Sequence, residues 1–203
     1  MLKDLVFLMA VAGSLSAQDK VVTTYPSGTM KSSGVMVNGQ KEGTWYYQYP
    51  SGNPMAEEHF KNGALDGAVT YYYDNGTVQA RENWQEGTLQ DSAQYFYPTG
   101  AKEKEGLYQE NSYAGVWFFY HPNGNIERSV SYRGGFTHGE IRVYNDQGIL
   151  LQEGSYEKGK ETGLWKFYDG EGRLAYSGYY DDGERTGDWF RYSKNGAKRK
   201  WRY

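Results

Sequence analysis

Residues Gly163 to Trp189 read GLWKFYDGEGRLAYSGYYDDGERTGDW. The stretch opens and closes on Gly-x-Trp, and its two tryptophans stand 24 residues apart. Between them lie an aromatic run from Trp165 to Tyr168, a glycine turn, a second run ending at Tyr180, and an Asp-Gly pair at Asp182–Gly183. Two short β-favouring runs separated by turn residues read as a hairpin. Recurrence of the start of the unit at its end asks whether the whole chain is built this way.

It is. Stepping by 24 from the turn glycine of this unit gives Gly28, Gly52, Gly76, Gly100, Gly124, Gly148, Gly172 and Gly196, without insertion or deletion. These are the structural turn glycines. A second column holds Gly39, Gly63, Gly87, Asn111, Gly135, Gly159 and Gly183, in which asparagine is the residue that best replaces glycine at positive φ. A third holds Gly43, Gly67, Asp91, Gly115, Gly139, Gly163 and Gly187. The tryptophan column is Trp45, Val69, Ala93, Trp117, Ile141, Trp165 and Trp189.

Each unit supplies two strands, and side chains alternate between faces along each. Tyr47, Tyr71, Tyr95, Phe119, Val143, Phe167 and Arg191 share a face with the tryptophan column. The second strand carries Met36, Phe60, Trp84, Tyr108, Tyr132, Tyr156 and Tyr180, preceded by two positions by Gly34, Glu58, Glu82, Gly106, Val130, Gly154 and Gly178. A strand glycine bares backbone on which a neighbouring ring can lie, so the expected packing is ring over glycine from hairpin to hairpin. A lone hairpin is marginal in water, whereas each buried ring contributes about 1.5–3 kcal/mol and is covered only by its neighbours. The expectation is an all-β, elongated antiparallel meander of about seven and a half units over residues 25–203, with a short lead-in at 18–24.

The first 17 residues differ. A charged start is followed by the apolar run Leu5–Ala12 and small residues ending at Ala17, the order of a secretory signal peptide. The run is too short to span a bilayer, which takes about 20 apolar residues. Export to the periplasm or medium is expected, with cleavage near Ala17 and no transmembrane segment after signal removal. The chain has no cysteine, which removes disulfides, thiol nucleophiles and Cys-based metal sites. A net charge of −3 argues against nucleic acid as a partner.

The units GTWYYQYPSGN…EEHFKNGALDG and GVWFFYHPNGNIERSVSYRGGFTHGE resemble MORN repeats in their bacterial variant form, and the resemblance covers about Tyr25 to Tyr203. It implies a hairpin array with a binding or scaffolding role and no catalysis by the repeats. Similar bacterial chains are often labelled YwqK-type antitoxins; a signal peptide conflicts with that label.

The three histidines, His59, His121 and His138, fall in different columns and lack metal-ligand spacing. Paired carboxylates such as Glu57–Glu58 are strand neighbours facing opposite ways. No catalytic residue, metal or cofactor is expected. Two candidate binding features remain. One is a stripe of rings, Tyr72, Phe96, Tyr120, Tyr144, Tyr168 and Tyr192, whose bland reading is packing. The other is a basic segment, Lys194, Lys198, Arg199, Lys200 and Arg202, whose bland reading is a charged terminal edge. The third unit departs most, with Asp91 for glycine and Ala93 for tryptophan; a bend, a partner contact or simple drift would each fit there. The expected function is a non-catalytic protein-binding or scaffold module. The alternatives are an envelope protein binding a glycan or an anionic lipid, and an antitoxin-like neutraliser of a partner.

Overall fold

The computed structural model describes residues 18–202, and the expected signal peptide lies outside the described residues. The strands are β1 (Gln18–Thr24), β2 (Met30–Val37), β3 (Gln40–Gln48), β4 (Pro54–Lys61), β5 (Ala64–Leu65), β6 (Gly67–Tyr72), β7 (Val78–Gln85), β8 (Thr88–Phe96) and β9 (Lys102–Gln109). They continue as β10 (Ser112–Tyr120), β11 (Ile126–Arg133), β12 (Phe136–Tyr144), β13 (Leu150–Glu157), β14 (Lys160–Tyr168), β15 (Leu174–Asp181), β16 (Glu184–Tyr192) and β17 (Lys198–Trp201). Every pairing is antiparallel and joins sequence neighbours. β5 and β6 are two halves of one strand interrupted at Asp66, and both pair with β4. The result is a single open meander, with no helix among the described residues. The lead-in at 18–24 is strand β1, paired along its length with β2.

Two kinds of turn explain the glycine columns. At one end, the Gly52 N–H donates to the Tyr49 carbonyl and the Tyr49 N–H to the Asn53 carbonyl, both at 2.9 Å. The glycines of this column hold φ between +80° and +91°, where a side chain would be strained. At the other end the turns have two residues, both left-handed: Asn62 at φ +51° and Gly63 at +82°, for instance. That geometry matches the twist of the strands it joins. Asn111 takes φ +62° in its glycine column and Asp91 takes +61° in its own, as residues tolerant of that region should.

The core lies on one face of the sheet, called face A here. The tryptophan column is buried at each of its seven positions, Trp45, Val69, Ala93, Trp117, Ile141, Trp165 and Trp189. The other buried apolar residues, Ala56, Ala80, Leu89 and Val130, pair across strands with that column or with the rings beside it. The ring-over-glycine packing is present and specific. Trp45, Trp117, Trp165 and Trp189 lie over Gly34, Gly106, Gly154 and Gly178, where any Cβ would overlap the indole. Where the earlier strand carries Glu58, Glu82 or Val130 instead, the residue eleven positions later is Val69, Ala93 or Ile141. Bulk at one position is thus answered by a smaller side chain at the other.

Candidate functional site

Face A is an aromatic layer with cations set into it. Lys41 Nζ lies 4.8 Å from the Trp45 ring centroid and 4.5 Å from that of Phe60. Lys104 Nζ lies 4.4 Å above the Tyr95 ring and donates to Tyr113 Oη at 2.8 Å. Trp117 is stacked on Tyr113 at 3.9 Å and met edge-on by Tyr108 at 5.0 Å. Glu82 accepts from Tyr95 Oη at 2.7 Å and Trp84 Nε1 at 3.0 Å. Burial, hydrogen bonding with Tyr108 and the Glu82 carboxylate together push the Tyr95 phenol far above its ordinary range. These groups satisfy one another and leave a cohesive layer.

The six-ring stripe lies on the opposite face, face B, and Tyr120, Tyr168 and Tyr192 bond to the sheet through their hydroxyls. Tyr120 Oη donates to Glu105 at 2.6 Å and Tyr168 Oη to Glu153 at 2.7 Å. Tyr192 Oη bonds Ser177 Oγ at 3.0 Å, and Arg81 lies 5.4 Å from the Phe96 centroid. In each case the partner stands fifteen residues earlier, so these rings brace one hairpin against the strand before it. Tyr72 and Tyr144 complete the column and are half-buried like the rest. Burial, then Glu105 or Glu153, pushes Tyr120 and Tyr168 up to about 12. Glu153 is held below its ordinary range by hydrogen bonds from Lys166 and Tyr168.

The basic segment is divided between faces. β17 pairs with β16 without the bulge that the earlier hairpins carry at this end, for example between Phe167 and Tyr168. The register is therefore shifted by one residue, which exchanges the faces of its side chains. Arg199 and Trp201 oppose Arg191 and Trp189 on face A, while Lys198 and Lys200 oppose Tyr192 and Phe190 on face B. Lys200 pairs with Asp188 at 2.5 Å, and Lys198 lies 3.7 Å above the Phe190 ring. Lys194 is exposed in the preceding turn and Arg202 beyond the strand.

The site that sequence reasoning missed is a groove of about 500 Å³ on face B, crossing β6 to β10. Leu107, Val116 and Phe118 form its apolar part, beside Ala68; Arg81, Asn83, Gln94 and Glu105 surround them. Leu107 remains 45 % exposed and Val116 46 %. Ser92, next to the departures at Asp91 and Ala93 in the third unit, also lines it, whereas the Val69 and Ala93 side chains are buried on face A. The columns alone do not mark it: Val116 shares its column with the apolar Ala68 and Leu164, and Leu107 shares its own with Val35 and Tyr179.

Histidines are structural where they bond. His59 Nδ1 lies 2.7 Å from the Ala68 carbonyl oxygen, and His121 Nε2 lies 3.1 Å from that of Tyr144. Among the described residues no group of three potential ligands could hold a metal ion. No helix among them is long and apolar enough to cross a membrane.

Residues 41–62, 65–86 and 114–133 match the MORN repeat variant family. No curated protein matches the sequence significantly. Two solved structures are similar at 12 % identity. One, titled "Crystal Structure of TcdB2-TccC3-Cdc42", gives a TM-score of 0.21 over 91 % of this chain and 14 % of that one. The other, "Crystal Structure of TcdB2-TccC3", gives 0.20 over 87 % and 14 %. The chain thus spans about one seventh of the length of those structures.

Proposed function

Its repeats being of the MORN variant type, which generally bind proteins or lipids, we propose that this chain is an exported, non-catalytic scaffold that binds a protein partner through the face B groove. The observation that carries this reading is the exposed Leu107–Val116 pair. This face also carries the exposed pair Leu164 and Tyr179, opposed across β14 and β15, and ion pairs such as Lys166–Glu153 and Lys200–Asp188; Leu107 and Val116 are set apart by lying together with Phe118 in the groove. A local apolar patch ringed by polar groups is the composition of a protein contact rather than of free surface. A continuous sheet also suits a scaffold, since each unit is held by its neighbours and the face stays fixed when a partner docks.

Export supports the setting: the charged, apolar and small-residue order of residues 1–17 directs the chain out of the cytosol. The partner is then an envelope or extracellular protein. The test is affinity capture from an envelope extract with the parent and with Leu107→Glu and Val116→Glu. A partner retained by the parent and lost from both variants, with unchanged melting temperatures, supports the groove. Equal retention by all three places the contact elsewhere. Recovery of an unprocessed N-terminus from the cytosol would overturn export.

A further inference from the structure

The last hairpin holds an arrangement that the scaffold reading does not use. Arg191 stands in the column that elsewhere carries Tyr47, Tyr71, Tyr95, Phe119, Val143 and Phe167. Because β17 lacks the bulge, Arg191 faces Arg199 directly across the strands. Like charges directly opposite each other are destabilising in a sheet. Neither arginine has a carboxylate partner among the described residues. The two line a cavity of about 490 Å³ with Tyr176, Tyr192, Ser193 and Asn195, and no acid contributes to it. Tyr176 is the cross-strand neighbour of Arg191 on its other side, and the residue is 39 % exposed. Asp188, the nearest acid along the strand, points to the other face and is taken by Lys200.

We propose that this cavity is a binding site for a carboxylated sugar. Two guanidinium groups without a counter-ion, brought together by register, form a site that an oxyanion completes. The planar fork of arginine matches a carboxylate in two-point geometry. The exposed Tyr176 ring beside the pair offers a flat apolar surface to the C–H face of a pyranose, and its hydroxyl a polar contact at the rim. The volume falls in the range of small-ligand sites, roughly 300–1,000 Å³. Ser193 Oγ and Asn195 Oδ1 are taken up by each other and by the Ala197 backbone, which leaves the Asn195 amide N–H groups at the turn to meet ring hydroxyls. A neutral sugar would leave the arginines unpaired, and a bare oxyanion would leave the tyrosine uncovered; a uronate answers both. The site goes beyond the scaffold reading and is independent of the groove.

Trp201 is the reporter, since its ring centroid lies 5.0 Å from that of Tyr176. Glucuronate, glucose and inorganic phosphate are titrated against the full chain, with tryptophan fluorescence as the readout. The expected result is a saturable change with glucuronate, weakened by salt, a weaker change with phosphate, and none with glucose. Arg191→Gln and Arg199→Gln each lose about tenfold or more in affinity for glucuronate. Arg191→Lys, which keeps the charge but not the fork, loses part of it. Both glutamine variants keep or raise the melting temperature of the unliganded protein, since a repulsion is removed. Glucose binding as tightly as glucuronate overturns the proposal, as does the absence of any response from the parent. Phosphate binding as tightly as glucuronate overturns the sugar as carrier, and unchanged affinity in the arginine variants overturns the site.

Discussion

The Trp117 indole lies on the bare backbone of Gly106, and its Nε1–H donates to the Leu107 carbonyl at 2.8 Å. Both contacts require that residue 106 have no side chain. Gly106→Ala is expected to force the ring out of its rotamer or the strands apart, at a cost of about 1–3 kcal/mol. Gly170→Ala is the control: no heavy atom comes within 4 Å of the added Cβ, and φ is not positive. It should be neutral or stabilise by about 0.4–1 kcal/mol. The chain also contains its own compensated version, Val130 with Ile141. Gly106→Val combined with Trp117→Ile should therefore recover part of what Gly106→Val alone loses. Urea unfolding midpoints of the four variants decide the matter.

A second ladder ties the turns together. Tyr25, Tyr49, Tyr73 and Tyr97 each donate a phenolic O–H to the carbonyl of the residue 23 positions later, Gln48, Tyr72, Phe96 and Tyr120, at 2.8 Å. In the later units the same column holds Asn145 and Asp169, which cap their own turns through Ile149 N–H and Arg173 N–H. Tyr73→Phe should thus cost about 0.5–1.5 kcal/mol. Asn145→Ala should loosen its own turn only. Hydrogen exchange separates the two outcomes: the first variant should raise exchange in two adjacent units, the second in one.

How much of this was legible follows from what each feature depends on. The meander was legible because its turns demand glycine at fixed φ, so the register is written as columns from Gly28 to Gly196. The burial of the tryptophan column was legible for the same reason. The stripe from Tyr72 to Tyr192 was visible as rings, but not that Glu105, Glu153 and Ser177 consume their hydroxyls, because these pairs lie fifteen residues apart across a strand pairing. The groove depends on which face stays uncovered across five strands, and only the relative exposure of Leu107 and Val116 reveals it. The division of Lys198, Arg199 and Lys200 between faces depends on a missing bulge, for which the repeat offers no precedent.

Tyrosine ionisation sets an alkaline limit. Tyr71, Tyr108, Tyr120 and Tyr168 are each pushed up to about 12, burial being the largest cause in every case. In the unfolded chain the same groups titrate near 10. A pKa raised by folding adds stability that is complete below the unfolded value and is lost as pH rises through the folded one. Stability should therefore fall between about pH 10 and 12, and tyrosinate absorbance should appear together with loss of the sheet. Tyr120→Phe should flatten part of that fall. On the acid side Glu153 has the opposite sign. Its contribution is present above the ordinary glutamate value and lost as pH drops through its lowered one, so Lys166→Met should reduce that acid dependence.

The final strand tests what fixes register when the repeat ceases to. Trp201 lies on face A, with ring centroids 5.0 Å from Tyr176 and 6.3 Å from Trp189, and Arg185 stacks 5.1 Å from it. Continuing the 24-residue columns would place Arg202, not Trp201, opposite Trp189. Burying a ring there outweighs keeping the bulge, because a half-buried tryptophan contributes about 1–2 kcal/mol and an exposed arginine at the same place almost nothing. Trp201→Ala should then free β17, raising hydrogen exchange from Lys198 onward and exposing Trp189. The exchange of the two residues, Trp201→Arg with Arg202→Trp, should restore the bulged register and carry Lys200 to face A. Its ion pair with Asp188 would break, and the Arg191–Arg199 opposition would be lost with it. If the double variant instead keeps β17 in its present register, the short turn after Tyr192 sets the pairing, and the tryptophan only follows.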